Sequence, residues 1–286
     1  MSCTVDACDR SALSNQKKCI LHSASTEKDS TAFEEVLREH QAEQSGNYQQ
    51  IVFPSDVEFR EAEFEDVDFT DALFRGQADF TGATFEGRTD FTGAEFSGPA
   101  IFTGTSFDQS PIFHEVTFGG ETHFDRSQFL RTWGTDSRRV GFIDCVFEGR
   151  ANFSESRNRN ALFHECTFEQ QADFPRAQFD LDVSGAVFES CEFQGSANFT
   201  NATHEGTPLL GRSCHFKNLA TFKGARFEGG KVVRGSVYFE GSISFERADF
   251  VGGLMLRAAT FEGQSPSFKG ATLSLGSIDY ALQKKA

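Results

Sequence analysis

The sequence predicts an all-β solenoid of about ten four-sided coils, and three observations carry that prediction. Phenylalanine is greatly over-represented, with 34 residues against 15 leucines in a chain of 286. From Phe74 to Phe129 the phenylalanines recur at alternating spacings of six and five. A small or short residue sits two places before nearly every one, as Ala83 before Phe85 and Ala94 before Phe96. In an extended segment residues i and i−2 point to the same side, so each phenyl ring and its small companion face inward while the polar residue between them faces water. A helix would scatter these positions over its whole surface.

Two pairs of those alternating spacings make one coil, and stepping by that length lines up the rings. A first column runs from Phe53 through Phe74, Phe96 and Phe118 to Phe261, and a second from Phe59 through Phe80 and Phe102 to Phe268. The third, from Phe64 to Leu273, contains two polar members, Asn158 and His204, which predict a locally weak face. The fourth is the least regular, with Phe69, Phe91, Phe113, Phe142, Phe163 and Leu256. Rings stacked along the axis leave no room for a ligand tunnel, and ten coils spaced as strands are make a rod of roughly 45 Å.

These units resemble those of the pentapeptide-repeat proteins, whose tandem segments carry a central Phe or Leu with a small residue two places earlier. The resemblance covers about residues 51 to 275 and implies a right-handed four-sided parallel β-helix. The extra residue in every second unit departs from a strict pentapeptide and predicts wider alternate corners. Some members of that family resemble duplex DNA in shape and charge and modulate bacterial DNA gyrase, protecting it against quinolones. The resemblance therefore implies a type II topoisomerase as one partner. This chain shares the rod and an acidic stretch with them. It departs in its cysteine-rich start, in acidity confined to the early coils and in lacking an evident dimerising helix at its end.

Four segments follow from these patterns: residues 1–25, 26–50, 51–275 and 276–286. The first holds Cys3, Cys8, Cys19 and His22 in a C-x4-C-x10-C-x2-H spacing. Three thiolates and an imidazole so close together in the chain suit a closed, structural zinc site wrapped by two hairpin-like knuckles. In the second, Ser30 reads as an N-cap, and Phe33, Val36, Leu37 and His40 follow at helical spacing, predicting an amphipathic helix to about Gln44 that covers the first coil. A terminal coil has unpaired edges and requires a lid. At the far end Leu275, Ile278, Tyr280 and Leu282 supply either a lid or the meeting surface of a homodimer.

The other four cysteines, Cys145, Cys166, Cys191 and Cys214, each stand two places before a first-column Phe and read as small inward packing residues. Functional expectations fall instead on departures from the repeat. The largest insertion, between Phe129 and Phe147, carries Arg131, Arg138, Arg139 and the one tryptophan, Trp133. One coil later Arg157 and Arg159 flank Asn158. Arginines around a tryptophan are the composition of a protein interface or an anion site, and equally of a loop folded over a weak coil.

Charge narrows the function classes further. The net charge is −15 and the pI about 4.9, which argues against direct nucleic-acid binding. Residues 53–129 carry 16 acidic and 4 basic residues, whereas residues 130–286 carry 18 of each. Acidic early coils read either as a solvated face or as an anionic surface for a basic partner. No phosphate-binding or dinucleotide glycine motif occurs, and His114, His123, His164 and His215 are dispersed on outward positions without a nucleophile beside them. The start lacks the pattern of a secretory signal, no stretch is apolar enough to span a membrane, and the expected compartment is the cytoplasm. The sequence thus predicts a noncatalytic protein-binding module with structural zinc.

Overall fold

The computed structural model describes residues 2–5, 8, 10–13, 17–25, 28–42, 46–130, 141–159, 162–181, 186–206, 208–228, 232–233, 235–251, 254–256, 259–273 and 278–279. Strands of two to four residues recur along the chain, and each pairs in parallel with its counterparts one coil before and one coil after. The pairing steps by the predicted coil length, as in Thr117 opposite Glu95 and Phe118 opposite Phe96. Among the described residues the four faces carry sheets of ten, nine, ten and six strands, in agreement with the expected coils. No helix among those residues is long and apolar enough to cross a membrane.

Rings fill the axis. In the first column Phe53, Phe74 and Phe96 stack at centroid distances of 4.6 Å, with planes within 3° of parallel. Between faces the rings meet edge to face, as Phe69 and Phe80 do at 5.7 Å and 84°. The small companions Ala78, Ala83, Ala100 and Cys145 are fully buried beside them. The fourth face is more regular than its sequence: Phe188, Leu210 and Val233 continue its column through single β-bridges. Leu256 holds the next position, accepting the turn hydrogen bond from Ala259 N at 2.9 Å that a phenylalanine carbonyl accepts elsewhere.

The alternating spacing of the rings has a structural cause. After each second-face ring the chain makes a tight turn, in which Ala83 N donates to Phe80 O at 3.0 Å and Gly82 takes a φ of +68°. A positive φ at the third position of such a turn defines type II. The same left-handed position is held by non-glycine residues such as Glu61, Arg126 and Asn201. Among the described residues, the corners with the extra residue lack this turn hydrogen bond. There the backbones of successive coils approach closely: a Cβ on Gly120 would lie 2.4 Å from the Gly98 carbonyl carbon.

The third face is interrupted where the sequence indicates. Its ring stack runs from Phe64 to Phe129 at 4.8 to 5.1 Å, stops at Asn158, and resumes between Phe227 and Phe250. Asn158 is 2% exposed; its Nδ2 donates to Ser156 Oγ at 2.8 Å, but its Oδ1 has no partner among the described residues. His204 is likewise buried.

At the first end the helix Ser30–Ala42 lies over the opening coil, with Phe33, Leu37 and His40 buried. Its N-cap is Asp29 rather than Ser30, since Asp29 Oδ1 accepts from Ala32 N at 3.0 Å. Phe33 meets Phe53 edge to face at 6.1 Å, and Tyr48 stacks on Phe69 at 4.7 Å, closing the first and fourth columns. At the far end Ile278–Asp279 pairs with Leu254–Met255. Leu275, Tyr280 and Leu282 lie outside the described residues.

Two kinds of substitution test this packing. Asn158→Leu removes a buried unsatisfied oxygen and is expected to stabilise the rod by about 1–3 kcal/mol in denaturant unfolding. Gly104→Ala, at a φ of +66° with open space around its Cβ, should cost about 1–2 kcal/mol for left-handed strain. Gly120→Ala should cost more, on the order of 3 kcal/mol, because backbone must move.

Candidate metal centre and outer surface

The cysteine-rich start makes two short turns of backbone around its cysteines. An antiparallel bridge between Ser2 and Ser11 closes the first around Cys3 and Cys8. A turn in which His22 N donates to Cys19 O at 3.2 Å forms the second. Together they bring one ligand atom from each of Cys3, Cys8, Cys19 and His22 within 4.8 Å of one another. Cys8 and Cys19 sulfurs are 3.8 Å apart, and His22 Nδ1 lies 3.2 Å from Cys19 Sγ and 3.5 Å from Cys3 Sγ. Tetrahedral zinc with bonds of about 2.3 Å to sulfur and about 2.0 Å to nitrogen spaces its ligands about 3.5–3.8 Å apart, so the donor set and its spacing fit.

The surroundings prepare these groups as ligands. His22 Nε2 donates to Gln49 O at 3.2 Å, which leaves the Nδ1 lone pair directed at the sulfurs. Burial holds the His22 pKa down to about 4, so the ring is neutral at neutral pH. Burial opposes the Cys3 thiolate, yet backbone N–H groups of Val5 and Cys19 outweigh it and its pKa falls below the usual value. Burial, together with the neighbouring Cys19, pushes Cys8 up to about 12. A metal ion would reverse that shift by binding the sulfur directly.

This centre is joined to the solenoid, not merely adjacent to it. Leu21, between two of the ligands, offers its carbonyl to Val52 N at 2.9 Å and so acts as an extra rung on the first face. Lys28 Nζ donates to Val52 O at 2.6 Å and to Leu21 O at 3.1 Å while lying 4.8 Å from the centre of the Phe33 ring. Arg75, in the second coil, donates to Ala24 O at 2.7 Å. Pro54 follows on the same edge and has no N–H to leave unpaired. None of these tethers has a sequence signature, since each ends on a backbone carbonyl.

The ladder cysteines behave as packing residues. Each is buried and donates its thiol to a phenylalanine carbonyl of an adjoining coil, Cys145 to Phe113 O at 3.1 Å and Cys191 to Phe163 O at 3.1 Å. Desolvation holds the Cys166 and Cys191 thiols well above the usual pKa. Of the proposed partner-binding residues, Arg157 and Arg159 are exposed on the third face, with Arg159 3.3 Å from Asp180. Arg131, Trp133, Arg138 and Arg139 lie outside the described residues. His114, His123, His164 and His215 all face solvent beside acidic residues, on different coils.

Outward acids fall into two groups. Asp79 and Asp173 are 1% and 3% exposed and paired with Arg60 and Arg150, each at 2.7 Å. Glu63, Glu65 and Glu86 are exposed on the third face of the first two coils, and no hydrogen bond or ion pair of their carboxylates is found among the described residues.

Residues 48–95 and 91–132 match a family model described as pentapeptide repeats (9 copies). Those residues make up the early coils of the rod, whose four-sided parallel solenoid continues beyond them. Two solved structures align with it, both trypsin-treated forms of QnrB1, a plasmid-mediated fluoroquinolone resistance protein. They are 13% and 14% identical over 78% of this chain and 88% of theirs, with TM-scores of 0.21 and 0.19. No curated protein sequence matches. The partner of this rod must therefore be argued from its own surface.

Lys28 provides a pH test of the tethering. Burial, then the Arg75 charge, hold its pKa down to about 7 against an ordinary 10.5. Between those values the unfolded chain binds the extra proton, so cap stability should rise as pH increases from 7 towards 10.5. Lys28→Met should flatten that rise in denaturant unfolding followed by the helix signal in circular dichroism.

Proposed function

We propose that the protein is a noncatalytic interaction rod, closed at its first end by zinc on Cys3, Cys8, Cys19 and His22, whose acidic early coils engage a basic protein surface. The observation that carries this reading is the combination of a ring-filled axis with unpaired exposed carboxylates on successive coils. Such a rod has no interior site, so recognition falls to its outer faces. The inserted segment that carries Arg131, Trp133, Arg138 and Arg139 in the sequence, together with Arg157 and Arg159, is proposed as a second contact. Bound zinc here is structural, since four protein ligands fill its coordination shell.

Charge density favours one class of partner, a protein that ordinarily grips duplex DNA. Residues 53–129 hold a net −12 over nearly four coils. At about 4.8 Å per coil this is on the order of 0.7 charges per Å, against about 0.6 per Å for the duplex. A type II topoisomerase belongs to that class.

A pull-down from host lysate tests the reading, with the intact chain beside a Glu63→Lys, Glu65→Lys, Glu86→Lys variant and an Arg131→Glu, Arg138→Glu, Arg139→Glu variant. Retention of a basic protein that the lysine variant loses, and that raised salt weakens, is the expected result. Loss only from the glutamate variant would move the interface to the insertion, and equal retention by all three would overturn both surfaces. For the metal, the purified chain should contain one zinc per molecule. Chelation should abolish the helix signal and leave the β signal, whereas a folded metal-free chain would overturn the zinc assignment.

A further inference from the structure

Seven cysteines in one chain differ sharply in what a small oxidant can reach. The four of the ladder are enclosed between rings, and each thiol is committed to a carbonyl. In the knuckles Cys3 and Cys19 are buried, but Cys8 is only half-buried. Cys8 also lines a cavity of about 30 Å³, together with Val5, Arg10, His22 and Gln49. That volume admits a molecule about the size of water. Its sulfur is 3.8 Å from that of Cys19.

We propose that Cys8 and Cys19 form a peroxide-oxidisable pair whose disulfide dismantles the metal centre and unties the cap from the first coil. The inference rests on the zinc reading above, because both sulfurs belong to the proposed ligand set, and on the 3.8 Å that separates them. The Cys8 thiolate attacks hydrogen peroxide, forming an S–O bond as the O–O bond breaks and releasing hydroxide. The Cys19 thiolate then attacks that sulfur, forming the S–S bond and expelling a second hydroxide. The two sulfurs give up two electrons in all, and the peroxide, with two protons from solvent, ends as two molecules of water.

The consequence follows from the tethers. With both sulfurs in a disulfide only Cys3 and His22 remain as ligands, too few for a closed zinc site. Cys19 and His22 bracket Leu21, whose carbonyl is the rung on Val52, and His22 holds Gln49. Oxidation thus acts on the two residues that fix the rung, and it exposes the edge of the first coil.

The test uses the full chain as purified, treated with hydrogen peroxide. Zinc content before treatment reads the metal assignment by itself: a chain without zinc overturns that assignment and the proposal with it. In a zinc-loaded chain, peptide mapping by mass spectrometry should find a Cys8–Cys19 disulfide while Cys145, Cys166, Cys191 and Cys214 stay reduced. Zinc release, followed with a chromogenic chelator, should keep pace with that bond, and amide exchange at Tyr48, Gln50 and Val52 should rise at least tenfold. A reductant with added zinc should restore protection. Cys8→Ala should slow peroxide-driven zinc release at least tenfold if the variant still binds the metal. If it does not bind, mapping of the unmodified chain decides. Retained zinc, a bridge through a different pair, or oxidation of the ladder at a comparable rate would each overturn the proposal while leaving the zinc site in place.

Discussion

A phenyl ring stacked on another occupies nearly the same distance along the axis as one hydrogen-bonded strand above the next. The observed centroid spacings of 4.5 to 5.4 Å in the first column lie close to the separation of strands in a sheet, about 4.8 Å. Neither element would hold alone. Two-residue strands are far below the length that persists unsupported, and a ring without neighbours above and below would leave voids. Because both repeat at one distance, each coil can add rungs and rings together. The small companion two places earlier is the corollary, since a larger residue there would push the rings apart.

The same periodicity creates the difficulty at the ends. Every internal coil is satisfied by its neighbours, but the first has ring faces and backbone groups with nothing before them. Four different devices meet that need: Phe33 and Tyr48 replace the missing rings, Leu21 replaces the missing rung, Lys28 holds two carbonyls, and Pro54 removes a donor. The segment carrying Leu21 is too short to have a core, and small units of this kind fold by cross-linking through metal or disulfide. The cluster of Cys3, Cys8, Cys19 and His22, whose donor atoms could hold a metal, thus sits beside the rung that answers the edge problem.

Much of this was legible because the repeat is local. Ring columns, inward cysteines and the clustering of Cys3, Cys8, Cys19 and His22 all follow from spacings no longer than one coil, and the weak third face follows from Asn158 and His204. Phe188 escaped the fourth column because an insertion precedes it, and Leu210 and Val233 escaped because they are not phenylalanines and an extra residue separates each from the first-column ring that follows. Asp29 and Ser30 are adjacent residues of equally good capping type, and only the oxygen's distance from Ala32 N separates them. Type II turns were hidden wherever Glu61 or Arg126 stands in place of glycine. The tethers from His22, Lys28 and Arg75 end on backbone carbonyls, which every residue possesses, so no side-chain pattern announces them.

Outward positions are the part of the design that stacking leaves free. At Asp79 and Asp173 the fold uses that freedom, since each carboxylate is buried against an arginine, and Asp79 Oδ1 also accepts from Thr81 N at 2.9 Å to fix the next turn. Glu63, Glu65 and Glu86 are exposed on the third face, and their carboxylates make no hydrogen bond or ion pair among the described residues. Like charges on successive coils repel, which costs the isolated rod stability that Thr or Gln at the same positions would not cost. Solubility does not require them to be grouped, because the later coils carry balanced charge on the same scaffold. A net charge of −12 concentrated in residues 53–129 is thus a feature of the surface that neither ring stacking nor solubility accounts for.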